Sequence, residues 1–209
     1  MTVRMKRREI TRADILPMQA YEAVRASKRA EMRAAKRNRQ LGVGPHAMFT
    51  FESYDSMWLQ VHEMLRIEKG GDAQIDDELA AYNPMIPNGR ELTATMLIEI
   101  ENPVLRAQEL GRLGGIEETI RLRIRADGQE HFVAAIPERD TERTDAETGK
   151  TSSVHFFHFP FSDAQVAAFR AANADVTLEI THPRYKHAAG LTEETRVALA
   201  ADFDGSTVH

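Results

Sequence analysis

Ile120-Arg121-Leu122-Arg123-Ile124-Arg125-Ala126-Asp127-Gly128-Gln129-Glu130-His131-Phe132-Val133-Ala134-Ala135-Ile136 alternates apolar residues with arginine and then meets Asp-Gly. Alternation with a period of two is the mark of a strand with one buried face. Asp-Gly accepts the left-handed backbone of a two-residue turn, so the run reads as a β-hairpin with its return strand over Glu130–Ile136. Just upstream, Leu92, Ala94, Met96, Ile98 and Ile100 alternate with Thr93, Thr95, Leu97, Glu99 and Glu101, predicting a second strand with the same logic. Downstream, Ser153–Phe159 and Val176–Thr181 read as strands. Ser162 and Gln165 form a capping box for a helix running to Ala172. Thr192 opens a last helix ending near Phe203, and the tail from Asp204 to His209 is expected to fray.

Working toward the N-terminus, Asn102-Pro103 opens a short helix that stops at Gly114-Gly115. Residues 137–152 are polar and read as an exposed loop. Residues 40–52 read as a short extended segment punctuated by Gly42, Gly44 and Pro45. Ser53 to Lys69 reads as an amphipathic helix stopped by Gly70-Gly71, and Ala73 to Tyr82 as a shorter one. Residues 11–38 read as one helix, entered through Thr11 and restarted at Pro17. Hairpins interleaved with unequal helices argue α+β, with an antiparallel or mixed sheet. The expected organisation is a single domain over 1–209. A helical N-terminal part, about 1–90, packs on a sheet-containing part, about 91–209, that carries additional short helices.

The chain has 209 residues, 42% hydrophobic and 28% charged, which is globular composition. It has no cysteine, which removes disulfides, thiolate metal sites and cysteine nucleophiles. No apolar run is long enough to span a membrane, and no secretory signal opens the chain, so a reducing cytoplasm is the expected compartment. The net charge of −5 hides an asymmetry. Residues 4–39 hold twelve bases and four acids, a balance of +8, which leaves −13 on the rest. Arg25, Arg29, Arg33 and Arg37 stand four apart, one like-charged ridge on a helix. Each such pair costs about 0.2–0.5 kcal/mol, so an anionic counterpart is expected. That counterpart is an acidic partner or the chain's own acidic body, the remaining alternative being a ridge that simply faces solvent. Nucleic acid is the less favoured counterpart, because no aromatic residues interleave the ridge and the acidic remainder would repel phosphate.

Nucleotide-binding, hydrolase and zinc-protease motifs are absent. On the helix over Ser53–Lys69, Met57, Trp58, Val61, Met64 and Leu65 make the apolar stripe. Asp55, His62 and Arg66 fall within about 40° of one another at its margin, and Glu68 falls near its centre. A carboxylate on a core-facing stripe needs a cation, a donor or a proton. His62, Glu63 and Arg66 are therefore the candidate acid–base residues. His155 and His158 are three apart on one strand and face opposite sides. His155 shares its face with Phe157 and Phe159, so it is the one expected inside. His182 and His187 flank a turn that follows a strand. If His62, Glu68, His155, His182 and His187 converge, they would form a nitrogen/oxygen site for iron, zinc or manganese, or supply an axial ligand to haem.

Met57-Trp58-Leu59-Gln60-Val61-His62-Glu63-Met64-Leu65-Arg66-Ile67-Glu68, with Met5–Ile10, Asp14–Leu16, Tyr82–Pro87, Lys150–Phe156 and His182-Pro183…Tyr185…His187, resembles a bacterial family of unknown function. The resemblance runs over nearly the whole chain. Genes of that family often neighbour those of a rubrerythrin and an iron–sulfur oxidoreductase, which implies a role near peroxide handling or electron transfer and assigns no reaction. Two readings follow. One is an accessory protein docking through its basic helix on an acidic redox partner such as a rubrerythrin. The other is a histidine-based metal- or haem-dependent redox enzyme.

Overall fold

In the computed structural model, which describes residues 7–138, 143–145 and 147–204, Asp127 and Gly128 both take left-handed φ, 51° and 75°. This two-residue turn matches the right-handed twist of the strands it joins, β4 (Ile120–Ala126) and β5 (Gln129–Ala134). β4 also pairs with β8 (Asp175–His182), and β8 with β9 (Tyr185–Gly190), giving a four-stranded sheet in the order β5-β4-β8-β9. The second sheet is β1 (Gln40–Val43), β2 (Ala47–Phe51), β3 (Glu91–Ile98), β7 (Val154–Pro160) and β6 (Ile136–Pro137), in the order β1-β2-β3-β7-β6. Every pairing is antiparallel, so the α+β expectation holds in its antiparallel form.

Both sheets turn their apolar faces to one core. Phe49, Met96 and Phe157 come from one sheet, and Leu122, Ile124, Leu178 and Ile180 from the other. The alternation read in the sequence is thus the inside–outside alternation of two packed sheets. The outer face of the larger sheet is covered by helices α2 (Tyr54–Glu68) and α3 (Ile75–Tyr82). Met57, Val61, Leu65, Leu79 and Met85 form a second apolar cluster there, with Phe156 of β7 against it. Helix α1 (Met18–Lys36) lies on α2, while α4 (Pro103–Arg112), α5 (Asp163–Arg170) and α6 (Glu193–Ala200) close the remaining sides.

Local signals act where expected. Asn102 Oδ1 caps α4 by accepting from the Val104 and Leu105 N–H groups at 2.9 and 3.1 Å. The Ser162–Gln165 box caps α5, with Ser162 N–H donating to Gln165 Oε1 at 2.8 Å. Other expectations need correction. The helix over 11–38 is broken: Arg12–Asp14 is a 3-10 turn, Ile15 is extended, and α1 starts only after Pro17. Proline permits a helix to begin behind it but not to run through it. The segment 40–52, read as extended, supplies two strands of the sheet, because β1 and β2 pair with each other and β2 with β3. The stretch after His182 is a strand, β9, folded back on β8. The polar stretch 137–152 is not simply exposed, since Thr151 is buried and its N–H donates to the Leu110 carbonyl at 3.0 Å. Residues 139–142, 146 and the tail 205–209 lie outside the described residues, as do Arg4 and Lys6 of the basic arm.

Candidate functional site

Helix α2 starts where Ser53 Oγ accepts from the Ser56 N–H at 3.2 Å. It ends at Lys69, which takes a left-handed φ of 56°. Its apolar stripe carries His62 into the interior, fully buried between the rings of Trp58 and Tyr21, 3.9 and 4.7 Å away. The Trp58 carbonyl can only accept, at 2.8 Å from Nδ1, and the Leu16 N–H can only donate, at 3.0 Å to Nε2. These partners fix one neutral tautomer, and burial holds the pKa of His62 below the ordinary histidine range. The ring ties the N-terminal segment to α2.

Glu63 faces α1. It accepts from the Tyr21 hydroxyl at 2.6 Å and from both the Nε and a terminal nitrogen of Arg25, at 2.7 and 2.8 Å. The Arg25 bonds, joined by that of Tyr21, draw the Glu63 carboxyl down to about 2. Burial and the Glu63 carboxylate raise the Tyr21 phenol well above its ordinary value. Arg66 reaches Glu22 of α1 at 2.5 Å. Glu63 and Arg66 thus hold α1 on α2.

The five residues considered as metal ligands stand apart. Glu68 is exposed in the last turn of α2, bonded by Gln74 at 2.7 Å. The wheel that placed it on the apolar stripe fails because the helix end runs past the core. His155 is fully buried on the inner face, as expected, with Nε2 donating to the Ser152 carbonyl at 2.9 Å. Its Nδ1 is buried without a hydrogen-bond partner among the described residues. His182 donates from Nε2 to the Gly114 carbonyl at 3.2 Å and accepts at Nδ1 from the Arg184 N–H at 3.3 Å. His187 is exposed, its ring edge-on to Tyr185 at 4.5 Å. Among the described residues no three His, Asp or Glu side chains come together in a way that could hold a metal ion.

Two polar groupings were not legible in the sequence. His158, on the outer face, lies between Glu91 at 3.1 Å and Glu138 at 3.5 Å, and these carboxylates raise its pKa to about 9. The register explains it: His158 stands opposite Thr93 and Ile136, so Glu91 and Glu138 are its diagonal neighbours. The second grouping is Glu117, which accepts from Thr144 Oγ1 at 2.7 Å, beside Thr151, whose Oγ1 lies 3.1 Å from His155 Nε2. A single sequence reveals these neighbours only once strand pairing is known.

The exposed chemistry gathers on α1, which buries only Tyr21 and Met32. Arg25 is taken up by Glu63. Arg29, Arg33 and Arg37 are exposed, and none has an ion pair among the described residues. At 100° per residue, Met18, Glu22, Arg29 and Arg33 fall within about 60° of one another, so Arg29 and Arg33 share one side of α1 with Met18, and Arg37, the C-cap residue, stands about 100° round from Met18. Each flank of the helix borders a groove. One, of about 470 Å³, is lined by Asp14, Lys28, Met32, Tyr54 and Trp58. The other, of about 670 Å³, is lined by Ile15, Pro17, Met18, Leu65 and Ile75.

Two antiparallel sheets around one core, with a helical layer presenting a basic flank, define an α+β protein whose exposed cations stand on one helix. The chain belongs to the family described as protein of unknown function (DUF3501), which matches residues 9–203. It is similar to a protein of unknown function from Burkholderia pseudomallei K96243, known from its crystal structure. The two are 38% identical, with a TM-score of 0.82 over 93% of this chain and 99% of that one. No curated protein matches the chain. Among the described residues no helix is long and apolar enough to cross a membrane.

Proposed function

We propose that this is an accessory protein that docks through α1 onto an acidic partner protein. The partner would belong to a redox or peroxide-handling system of the kind implied by the resemblance, a rubrerythrin being the first to test. The observation that carries the reading is the ridge of Arg29, Arg33 and Arg37, exposed and without ion pairs among the described residues, on a helix that buries only two side chains. Like charges at i,i+4 disfavour the free helix, and an acidic surface turns that repulsion into attraction. Opposite charge across such a contact speeds encounter and makes it salt-sensitive.

The test is capture of the purified protein on immobilised rubrerythrin at about 50 mM and about 500 mM salt, spanning the change in Debye length that screens exposed charges. Capture at low salt, lost at high salt and lost in Arg29→Gln/Arg33→Gln/Arg37→Gln, is the expected result. Equal capture of wild type and this triple variant would overturn the reading, as would tighter retention on duplex DNA than on the protein.

A further inference from the structure

The groove beside the start of α1 and the arginine ridge occupy the same side of that helix. The groove holds about 670 Å³ between Ile15, Leu16, Pro17 and Met18 on one wall and Leu65 and Ile75 on the other. Met18 is 37% exposed there. The hollow is lined by apolar side chains with charged residues at its rim, which is the shape that receives an apolar side chain of another molecule. Its charges are mostly matched internally: Glu22 pairs with Arg66, and Asp72 with Arg12. Lys69 at the rim has no ion pair among the described residues. From Met18, Arg29 lies about 16 Å along the helix axis and Arg37 about 28 Å, at 1.5 Å per residue.

We propose that the groove and the ridge are one docking surface for a helical segment of a partner protein. That segment places an apolar anchor side chain in the groove and carboxylates opposite Arg29, Arg33 and Arg37. This rests on the reading of α1 as the dock for an acidic partner, and specifies which segment of the partner is recognised. The groove supplies desolvated contact area and fixes register, because an apolar side chain has one place to sit. The ridge and Lys69 select against basic and neutral segments and favour carboxylates at four-residue spacing, which stack along one face of the incoming helix. Neither part suffices alone. Exposed ion pairs contribute little individually, and the groove without the ridge does not distinguish acidic from basic amphipathic helices.

Synthetic fluorescein-labelled peptides test it. The probe is a helix-forming peptide with two leucines near one end and glutamates at four-residue spacing beyond them, made in both chain directions. One control replaces the leucines by serine, and another replaces the glutamates by glutamine. Fluorescence anisotropy is read against wild type, Met18→Ser, and Arg29→Gln/Arg33→Gln/Arg37→Gln, with circular dichroism confirming that these exposed substitutions leave the fold intact. The expected result is binding of one direction of the probe. It weakens tenfold or more without the leucines at every salt concentration, and several-fold in Met18→Ser. In the arginine variant it weakens tenfold or more and loses most of its salt dependence. Binding that needs the glutamates and the arginines but ignores the leucines and Met18→Ser would overturn the groove's role and leave the acidic-partner reading standing. Binding indifferent to the glutamates and arginines, or no binding of either direction, would overturn both. Self-association of the protein at low salt that disappears in the arginine variant would assign the surface to a second copy and overturn the partner-segment proposal.

Discussion

At the scale of a residue, Tyr185 carries more of the fold than its size suggests. Its hydroxyl accepts from the His46 and Ala47 N–H groups at 2.9 and 3.0 Å and donates to the Val43 carbonyl at 2.8 Å. One side chain from β9 thus satisfies three backbone groups in the β1–β2 hairpin. The hairpin needs Gly44 to come this close: its φ is 69°, and a Cβ there would stand 2.6 Å from the His187 ring. Tyr185→Phe leaves these groups without their partner in a buried place, so a loss of about 2–3 kcal/mol is expected in urea unfolding. The histidines make a separate prediction about pH. The folded-state pKa of His158, raised to about 9 by Glu138 and Glu91, lies above that of the unfolded chain. Its contribution is therefore full below about pH 6.5 and is lost as pH rises toward 9. His62 and His155 are shifted down by burial. Below about pH 6.5 the unfolded chain takes up protons that the folded one refuses, and stability falls with acid. Thermal unfolding should accordingly show a maximum near neutrality. His158→Gln should flatten the alkaline limb, by on the order of 2 kcal/mol between pH 6.5 and 9, and leave the acid limb in place. An unchanged alkaline limb would remove the charged role given to His158.

At the scale of elements, α1 is held by few groups, and that makes its attachment testable. Tyr21 and Met32 are its buried residues, and the Glu63 carboxylate gathers Tyr21 and Arg25. Glu63, with its pKa drawn down to about 2, contributes stability above about pH 4.5 that is lost as pH falls toward 2. Glu63→Gln should loosen α1 selectively. Amide exchange over Met18–Lys36 is expected to speed about tenfold at neutral pH, while β3 and β4 keep their protection. Uniform acceleration across the chain would instead make Glu63 part of the global core. The same contrast explains what could be read beforehand. β4 was legible because it alternates cleanly between a buried and a more exposed face over its whole length; β3 was legible from its alternating apolar residues, although Thr93 of its other face is also buried, and β5, which buries only Val133, from the turn that precedes it. Asp127-Gly128 was legible because only a few residue pairs accept its backbone. β9 was not, since Tyr-Lys-His-Ala-Ala-Gly on a sheet edge buries only Tyr185 fully and shows no period. On α2, His62 and Glu63 were visible as polar residues beside an apolar stripe. Their partners, the Leu16 N–H and Arg25, are fixed by tertiary packing and leave no mark in the local pattern.

At the scale of the whole molecule, ion pairs tie part of the +8 arm to the −13 remainder. Arg8 pairs with Asp204, Arg12 with Asp72 and Asp76, Arg25 with Glu63, and Arg39 with Asp202, while Arg7 pairs with Asp14 of the arm itself. These pairs strap part of the basic arm across the acidic body, and Arg29, Arg33 and Arg37 stay exposed without ion pairs among the described residues. Arg39 is the most buried of these arginines, its side chain 12% exposed against 16% for Asp202. It donates to the Phe51 and Glu52 carbonyls at 2.9 and 2.7 Å and to the Asp202 carboxylate, joining the start of β1 to the end of α6. Removing one member of such a pair strands the other charge in a place with little water, so Arg39→Met alone should cost about 3 kcal/mol or more. Asp202→Asn alone should cost less, because the guanidinium keeps its two carbonyl acceptors. If the ion pair is what couples the two ends of the chain, the double variant Arg39→Met/Asp202→Asn will be no less stable than Arg39→Met. Urea unfolding of the four proteins then closes a cycle with a coupling of about 1–3 kcal/mol. Costs that simply add would mean that Arg39 acts through its backbone carbonyls alone, and that the strap holds at this point without the carboxylate.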